Sequence, residues 1–145
     1  MGKLRIPAVL LSLAALQCHA QFVYSVEKLE LRPAGEDFAP TLLDSGLVVT
    51  SVRNRAQTIA YTDATTGKPL ADLYQIRFHD GKPGHPRLME GTLCTRFNDG
   101  PATFSASGDT ICFTRNGLDG KRGSTDRMSL YFSVKNGREW SEPVP

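Results

Sequence analysis

The clearest structural signal in the chain is the segment NDGPATFSASGDTICFTRN, residues 98–116. Within it, β-prone runs at 102–105 and 110–114 flank Ala106–Asp109, whose small and polar residues are typical of a turn. This pattern predicts a β-hairpin. A polar, glycine-rich loop follows at 116–126.

A third strand is predicted over residues 128–134, where apolar residues occupy every second position. Alternation with a period of two is typical of a strand that is buried on one face. Asn136-Gly137 is a tight-turn signal, and residues 138–141 predict the start of a fourth strand. Nothing after residue 20 has a convincing helical period.

The same order of features occurs earlier in the chain, so the sequence contains an internal repeat. The first copy predicts strands at 38–43, 47–53, 72–78 and 87–95, with turns at 44–46 and 80–81. At an offset of 62 residues, five of the fourteen positions from Thr41 to Asn54 are identical to their counterparts. The identical pairs are Thr41 and Thr103, Ser45 and Ser107, Gly46 and Gly108, Arg53 and Arg115, and Asn54 and Asn116; further along, Leu73-Tyr74 matches Leu130-Tyr131.

Repeats of four antiparallel strands with partly apolar faces are typical of propeller blades, which pack between neighbouring blades. We therefore expect an all-β chain of about two four-stranded antiparallel blades, forming an incomplete β-propeller and preceded by a signal-peptide helix. The expected divisions are a signal peptide at 1–20, an N-terminal linker or strand at 21–36, a first blade at 37–97, and a second blade at 98–145 whose outer strand is cut short.

A closed propeller needs about four to eight blades, so two blades leave two flanking faces open. Apolar sheet faces left in water reduce stability or drive association. We therefore expect an isolated two-blade chain to be marginally stable or to self-associate. The short length also favours a fragment of a longer product or a truncated copy.

The N-terminal residues predict export. Lys3 and Arg5 precede an apolar run at 6–16, and Ala20 is a small residue suited to cleavage. Eleven helical residues span about 17 Å, which is about half of a bilayer core, so no transmembrane span is expected. The alternatives to a cleaved secretory signal are a lipoprotein signal acylated at Cys18 and a buried helix of the folded domain. We expect a periplasmic or outer-membrane-associated protein that begins at Gln21.

Export changes the interpretation of the cysteines, because a disulfide becomes permissible outside the cytoplasm. Cys94 and Cys112 remain after cleavage, and both fall in predicted strands. Either a disulfide or two buried free thiols fits the sequence. Without the first twenty residues the chain has 15 basic and 15 acidic residues and no block of like charge, so nucleic acid is not an expected partner.

Two sets of residues resemble versions of one known repeat. They are Phe38, Pro40, Gly46 and Arg53 in the first copy and Asp99, Gly100, Pro101, Phe104, Gly108, Phe113, Arg115 and Trp140 in the second. These motifs resemble the WD40-like β-propeller repeat. The chain is similar to TolB-type periplasmic propellers and to the propeller of OmpA-family outer-membrane proteins of Bacteroidetes type. The resemblance covers residues 30–145, although Val52 replaces the acidic residue that usually precedes Arg53.

The resemblance implies an exported, non-catalytic scaffold or protein-interaction module with protein partners in the cell envelope. It does not extend to the peptidoglycan-binding domain that accompanies the propeller in the OmpA family. The alternative functions are a remnant of a carbohydrate-active or peptidase-associated propeller and a non-functional truncated copy.

Two groups of residues were considered as sites for metal ions. His79 and His85 flank a loop, but neither has a ligand-spaced cysteine or acid, which favours solvated histidines over a zinc site. Asp119 and Asp126 lie in a glycine-rich loop without the twelve-residue calcium pattern and its closing glutamate. We expect no metal and no cofactor.

Catalytic residues are not expected either. The acidic pairs Glu36-Asp37 and Glu139 with Glu142 flank predicted strands rather than facing a channel. The turn serines lack a nucleophile elbow and a histidine partner; they are Ser45, Ser105 and Ser107.

The recurring arginines and the single tryptophan have structural and functional interpretations. Arg53 and Arg115 end equivalent predicted strands. Each either makes a binding contact or pairs with Asp37, Asp99 or a loop carbonyl to hold a corner of the repeat, and recurrence favours the structural role. Trp140 is expected to pack between blades rather than to hold a ligand.

Overall fold

The computed structural model describes residues 24–33, 35–55, 61–63, 66–89, 91–116 and 128–145. Over these residues the chain is all-β, with antiparallel sheets and no α-helix, which confirms the all-β, antiparallel part of the prediction. The predicted signal peptide at 1–20 lies outside the described residues. In the part of the chain that is described, no helix has the length and apolar character needed to span a bilayer.

The first sheet is formed by the first repeat. Its strands are β1 (Glu36–Leu43), β2 (Gly46–Val52), β3 (Ala71–His79), β4 (Lys82–Pro83) and β5 (Arg87–Leu88). They pair in the order β1-β2-β3-β4, and β5 also pairs with β3. The sheet therefore has five strands, two of them very short, rather than the four predicted. Both faces of β2 are largely buried, which is why its sequence is continuously apolar at Leu47–Val49.

The second sheet is formed by the second repeat. It consists of β6 (Asp99–Phe104), β7 (Thr110–Asn116), β8 (Met128–Asn136) and β9 (Glu139–Trp140), paired in that order. In β8 buried and exposed residues alternate at Leu130, Tyr131, Phe132 and Ser133, so one face is covered and the other is open. An isolated bridge pairs Phe132 with Val144 beyond β9.

The main core lies between the two sheets. Strand β6 packs across β1, β2 and β3, so the first strand of the second sheet covers one face of the first sheet. The buried side chains at this junction are Leu43, Val48, Leu73, Leu93, Ile111, Phe113 and Tyr131. A smaller cluster on the opposite face of the first sheet contains Val49, Tyr74 and Ile76, against which Leu31 packs.

The close approach of β6 depends on Gly100. Its φ is +106°, a conformation that residues with a Cβ atom rarely adopt. A Cβ atom at this position would lie 2.6 Å from Thr50 Oγ1 and 2.9 Å from Leu73 Cδ2. Glycine therefore lets the backbone of β6 rest directly on the first sheet.

The predicted fourth strand of the first repeat, residues 87–95, is mostly wrong. Of the described residues in this range, only Arg87–Leu88 form a strand, with Met89 N donating one further bond to the Leu73 carbonyl at 2.9 Å. Gly91 then has φ +83°, and a 3₁₀ helix at Gly91–Leu93 turns the chain inward. Burial of Leu93 between the sheets outweighs its β-propensity.

The hairpin turns differ in length between the repeats, which the ungapped offset of 62 residues concealed. In the first hairpin Asp44 and Ser45 connect paired Leu43 and Gly46. In the second, the four residues Ala106–Asp109 connect Ser105 and Thr110. Gly46 and Gly108 are therefore not structural counterparts, although the sequence alignment pairs them: Gly46 begins a strand, whereas Gly108 lies in a turn at φ +70°.

Candidate functional site

Arg115, at the end of β7, occupies a buried corner of the second sheet, which we call the second corner. Its Nε donates to Asp99 Oδ1 at 2.5 Å, and its Nη2 donates to the Thr92 carbonyl at 2.8 Å. The guanidinium carbon lies 5.0 Å from the centroid of the Phe113 ring and 5.3 Å from that of Tyr131. Since Thr92 belongs to the 3₁₀ helix that follows the first sheet, this arginine joins the two sheets.

Arg53 occupies a similar position on the first sheet, which we call the first corner. Its Nη2 donates to Asp37 Oδ1 at 2.5 Å and its Nη1 to the Pro33 carbonyl. Its guanidinium carbon lies 5.4 Å from the centroid of the Tyr74 ring. The two corners thus share an aspartate of the first strand, a tyrosine of the third strand and a carbonyl of the preceding segment. The expected pairing of each arginine with an aspartate and a carbonyl is present in the structure.

The strand pairing shows that the two arginines are nevertheless not in the same register. Asp99 pairs with Arg115, whereas Asp37 pairs with Ser51, two residues before Arg53. The shorter first hairpin accounts for this difference. Arg53 compensates by reaching back over Ser51, to whose Oγ its Nε donates at 2.6 Å.

A second ion pair extends the second corner into a network across the junction of the sheets. Arg55 Nε donates to Asp72 Oδ2 at 2.5 Å, and Arg55 Nη2 donates to the Thr95 carbonyl at 2.9 Å. The backbone nitrogen and the hydroxyl of Thr95 donate to Asp99 Oδ2 at 2.7 and 2.9 Å. Because Asp99 also accepts from Arg115, hydrogen bonds run without interruption from β3 to β7.

The pKa values of the two carboxylates in this network, Asp72 and Asp99, are raised. Burial raises the pKa of Asp72 to about 6, against the opposing effect of Arg55. Burial also raises the pKa of Asp99, against the opposing effects of Arg115 and Thr95. Raised pKa values of this kind occur at active sites and in structural ion pairs alike. Both aspartates are completely buried and accept bonds from fixed arginines, so the geometry suits structural ion pairs rather than acid–base catalysis.

One face of the second sheet is apolar and open, and we call it the outer face. Its side chains on β8 are 71%, 57%, 46% and 48% exposed at Met128, Leu130, Phe132 and Val134 respectively. Val144, which bridges to Phe132, is 60% exposed. The intervening Tyr131 packs in the core between the sheets, and Ser133 is also buried. A contiguous apolar surface of this kind is typical of an interaction site.

The remaining residues of the repeat motif lie at β-bulges or in packing contacts of the two sheets. Phe38 and Pro40 lie on β1 around a β-bulge, and a β-bulge also lies in β6, at Gly100-Pro101. The ring centroids of Phe104 and Trp140 are 6.1 Å apart, and both side chains pack against the core between the sheets. Trp140 therefore has a packing contact at the junction.

The structure does not assemble the histidines into a site. His79 is exposed at the end of β3, and His85 is exposed with its Nδ1 2.9 Å from the Arg32 carbonyl. Among the described residues, no group of three or more histidine, cysteine or acidic side chains is close enough to hold a metal ion. Asp119 and Asp126, considered for calcium, lie outside the described residues.

Serines of the second hairpin turn and Glu36, from one of the acidic pairs, have nearby hydrogen-bond partners. Ser105 Oγ lies 3.1 Å from Ser107 Oγ and 2.8 Å from Asp109 Oδ1. Hydrogen bonds from Ser107, Ser105 and Thr110 lower the pKa of Asp109. Glu36 accepts from Lys68 at 2.6 Å. The serine cluster is exposed and stabilises the turn.

Cys94 and Cys112 are free thiols, so of the two open alternatives the structure has the unpaired one. Cys94 follows the 3₁₀ helix rather than lying in a strand, and it packs against the core between the sheets. Cys112 pairs with Phe132 and therefore belongs to the outer face. The two thiols lie on opposite sides of the second sheet. Burial raises the pKa of Cys94 well above that of an ordinary thiol.

Asp37 and Asp99 were expected as partners of the recurring arginines, but two correspondences of the repeat were not recognised. The offset of 62 residues also relates Asp37 to Asp99. It relates Leu31 to Leu93 as well, and each packs against a core cluster beneath one of the sheets. The pairing of Arg55 with Asp72 had no such signal, because Ser129 takes the place of Asp72 in the second sheet.

The fold and the corners together define a two-sheet, all-β protein built from a repeated unit. Comparisons with protein-family models, with curated proteins and with solved structures found no match. The functional conclusion therefore rests on the geometry of the chain itself.

Proposed function

We propose that this chain is a non-catalytic protein-interaction module of propeller type, exported to the bacterial cell envelope, whose binding surface is the outer face. The observation that carries the proposal is the row of four exposed apolar side chains on β8. Such a row is costly in water and suits contact with another protein surface.

The packing of the two repeats supports a propeller-type arrangement. The first strand of the second sheet lies across the first sheet, and the arginine corner fastens the two together. In a propeller each blade packs face to face on its neighbours in this manner. The first corner repeats the same contacts on the preceding segment, with Arg53 bound to the Pro33 carbonyl.

The polar chemistry supports a binding role rather than a catalytic one. The buried carboxylates Asp72 and Asp99 are neutralised by Arg55 and Arg115. Catalytic acids need a cleft that admits substrate, whereas these acids lie in the closed junction of two sheets. The export signal at 1–20 is the basis for placing the module in the periplasm or at the outer membrane.

Site-specific photo-crosslinking tests this function. A photoreactive phenylalanine analogue replaces Phe132 on the outer face, and a matched variant carries it at Tyr61, which is exposed outside this face. We expect the probe at 132 to crosslink to protein in living cells that export the chain, and the probe at 61 to do so much less. Equal, background crosslinking from both positions would refute the outer face as a binding surface.

A further inference from the structure

We infer that the outer face binds a second copy of this chain, whose first sheet takes the place that the second sheet takes within one chain. This inference rests on the proposed function and names the partner for the same face. The association is head-to-tail, because the two surfaces that meet are different.

The chain itself shows what covers a face of this kind. Because the second hairpin turn is two residues longer, Thr114 rather than Cys112 is the counterpart of Thr50. Leu73 pairs with Thr50 and Leu130 pairs with Thr114, so Leu130 is the counterpart of Leu73. The outer face is thus the counterpart of the first-sheet face that carries Leu73. That face is completely covered at Leu73 by the second sheet. The surface known to fit this face is therefore the inner side of a repeat of the same type.

The outer face is more apolar than the counterpart that is already an interface. By the same register, Phe132 and Val134 stand where the first-sheet face has the half-buried Gln75 and the exposed Arg77. A face selected only for contact with water would be expected to become more polar instead. The two substitutions therefore favour an outer face that is buried against protein.

The first sheet supplies the complementary surface. Tyr131, which packs inward from the second sheet, corresponds to Tyr74, and the second corner corresponds to the first. The first sheet also presents Leu42, 76% exposed, as the counterpart of Phe104 at the offset of 62 residues. Phe104 packs against the core between the sheets, whereas Leu42 has no comparable cover.

Among the described residues, a short extended segment covers this side of the first sheet. Residues 24–30 are all exposed, with Val26 98% exposed, and Leu31 provides the apolar contact with Tyr74 and its neighbours. A second copy would replace this cover by an entire sheet. Each chain then has one donor surface and one acceptor surface, which is the requirement for head-to-tail association.

Sedimentation velocity of the full exported chain, from about 1 to about 100 μM, tests the inference. We expect concentration-dependent dimers or larger species. Phe132→Glu on the outer face and Leu42→Glu on the first sheet should each weaken association about 100-fold or more, because a carboxylate would be buried without a partner. Tyr61→Glu, an exposed control in the connection between β2 and β3, should associate like the wild type. Far-UV circular dichroism and Trp140 fluorescence report whether each variant is folded.

Mixing the variants identifies the geometry. Phe132→Glu retains an intact first sheet, and Leu42→Glu retains an intact outer face, so an equimolar mixture should recover a one-to-one dimer. Failure to recover it would overturn the head-to-tail arrangement, even if both variants are monomeric. A wild-type chain that stays monomeric at the highest concentration would also overturn the inference. If the probe at 132 then crosslinks to a different protein, the proposed function stands and only the choice of partner fails.

Discussion

Substitution of Gly100 by alanine should separate the two sheets at their closest point. The added Cβ atom would lie 2.6 Å from Thr50 Oγ1, far inside ordinary van der Waals contact, and 2.9 Å from Leu73 Cδ2. The backbone at φ +106° would add conformational strain of about 1–2 kcal/mol. Overpacking of a close-packed junction costs about 1–3 kcal/mol. We therefore expect Gly100→Ala to lower the free energy of unfolding by about 2–5 kcal/mol, a large fraction of the stability of a small domain.

Urea unfolding, followed by the fluorescence of the single tryptophan, measures this loss. Gly137→Ala is the matched control, since Gly137 also has a positive φ of +65° but has no atom within 4 Å of the added Cβ. It should lose about 1–2 kcal/mol from strain alone. Thr50→Ala should partly rescue Gly100→Ala, because it removes the nearest clashing atoms. Equal losses from Gly100→Ala and Gly137→Ala, or no rescue, would refute the close-approach argument.

Four further predictions concern the corners and the thiols. Arg115→Ala should lower the free energy of unfolding by about 3–5 kcal/mol in urea titrations, because it leaves the completely buried Asp99 without its cation. Arg53→Ala should cost less, about 1–2 kcal/mol by the same titration, because the side chain of its partner carboxylate is 22% exposed; an equal cost would contradict this ranking. Burial raises the pKa of Asp72 from 3.8 to about 6, so its contribution is present below pH 4 and is lost as the pH rises through 6. In urea unfolding from pH 4 to pH 7, Asp72 should therefore account for a decrease of up to about 3 kcal/mol in the free energy of unfolding. Asp72→Asn should lose this part while the decrease from Asp99 remains, and an unchanged pH dependence in that variant would exclude Asp72 as a cause. In thiol labelling of the folded, processed chain, Cys112 should react and Cys94 should react only on unfolding, because burial raises the pKa of Cys94. Faster labelling of Cys94 than of Cys112 would contradict the assignment of Cys112 to the outer face.

Sequence reasoning succeeded where a pattern is local. The alternation at 128–134 and the turn residues around Ala106–Asp109 specify strands and hairpins, because a strand's period and a turn's backbone conformation depend on adjacent residues. It failed at 87–95, where the conformation depends on where Leu93 is buried. The Arg55–Asp72 pair was not predicted either, since it depends on the register in which β2 and β3 pair across the long connection between them.

Which face of the second sheet is open could not be predicted from the strand pattern alone. Residues 128–134 are apolar at every second position, and the single-face interpretation would place those residues inward. The structure places Tyr131 and Ser133 inward instead, and leaves the apolar set outside. The apolar alternation therefore does not mark the core between the two sheets, and it is the basis of the contact that we propose for the outer face.

The corners explain why the repeat remained visible in the sequence after the hairpins diverged. A two-residue change in turn length shifts the second strand but keeps each side chain on the same face, because the period of a strand is two. An arginine is long enough to span that shift, and Arg53 does so across Ser51 to reach Asp37. A shorter side chain at this position would have lost its partner. The ungapped identity of Arg53 with Arg115 therefore reflects an ion pair that both repeats contain rather than a shared backbone register.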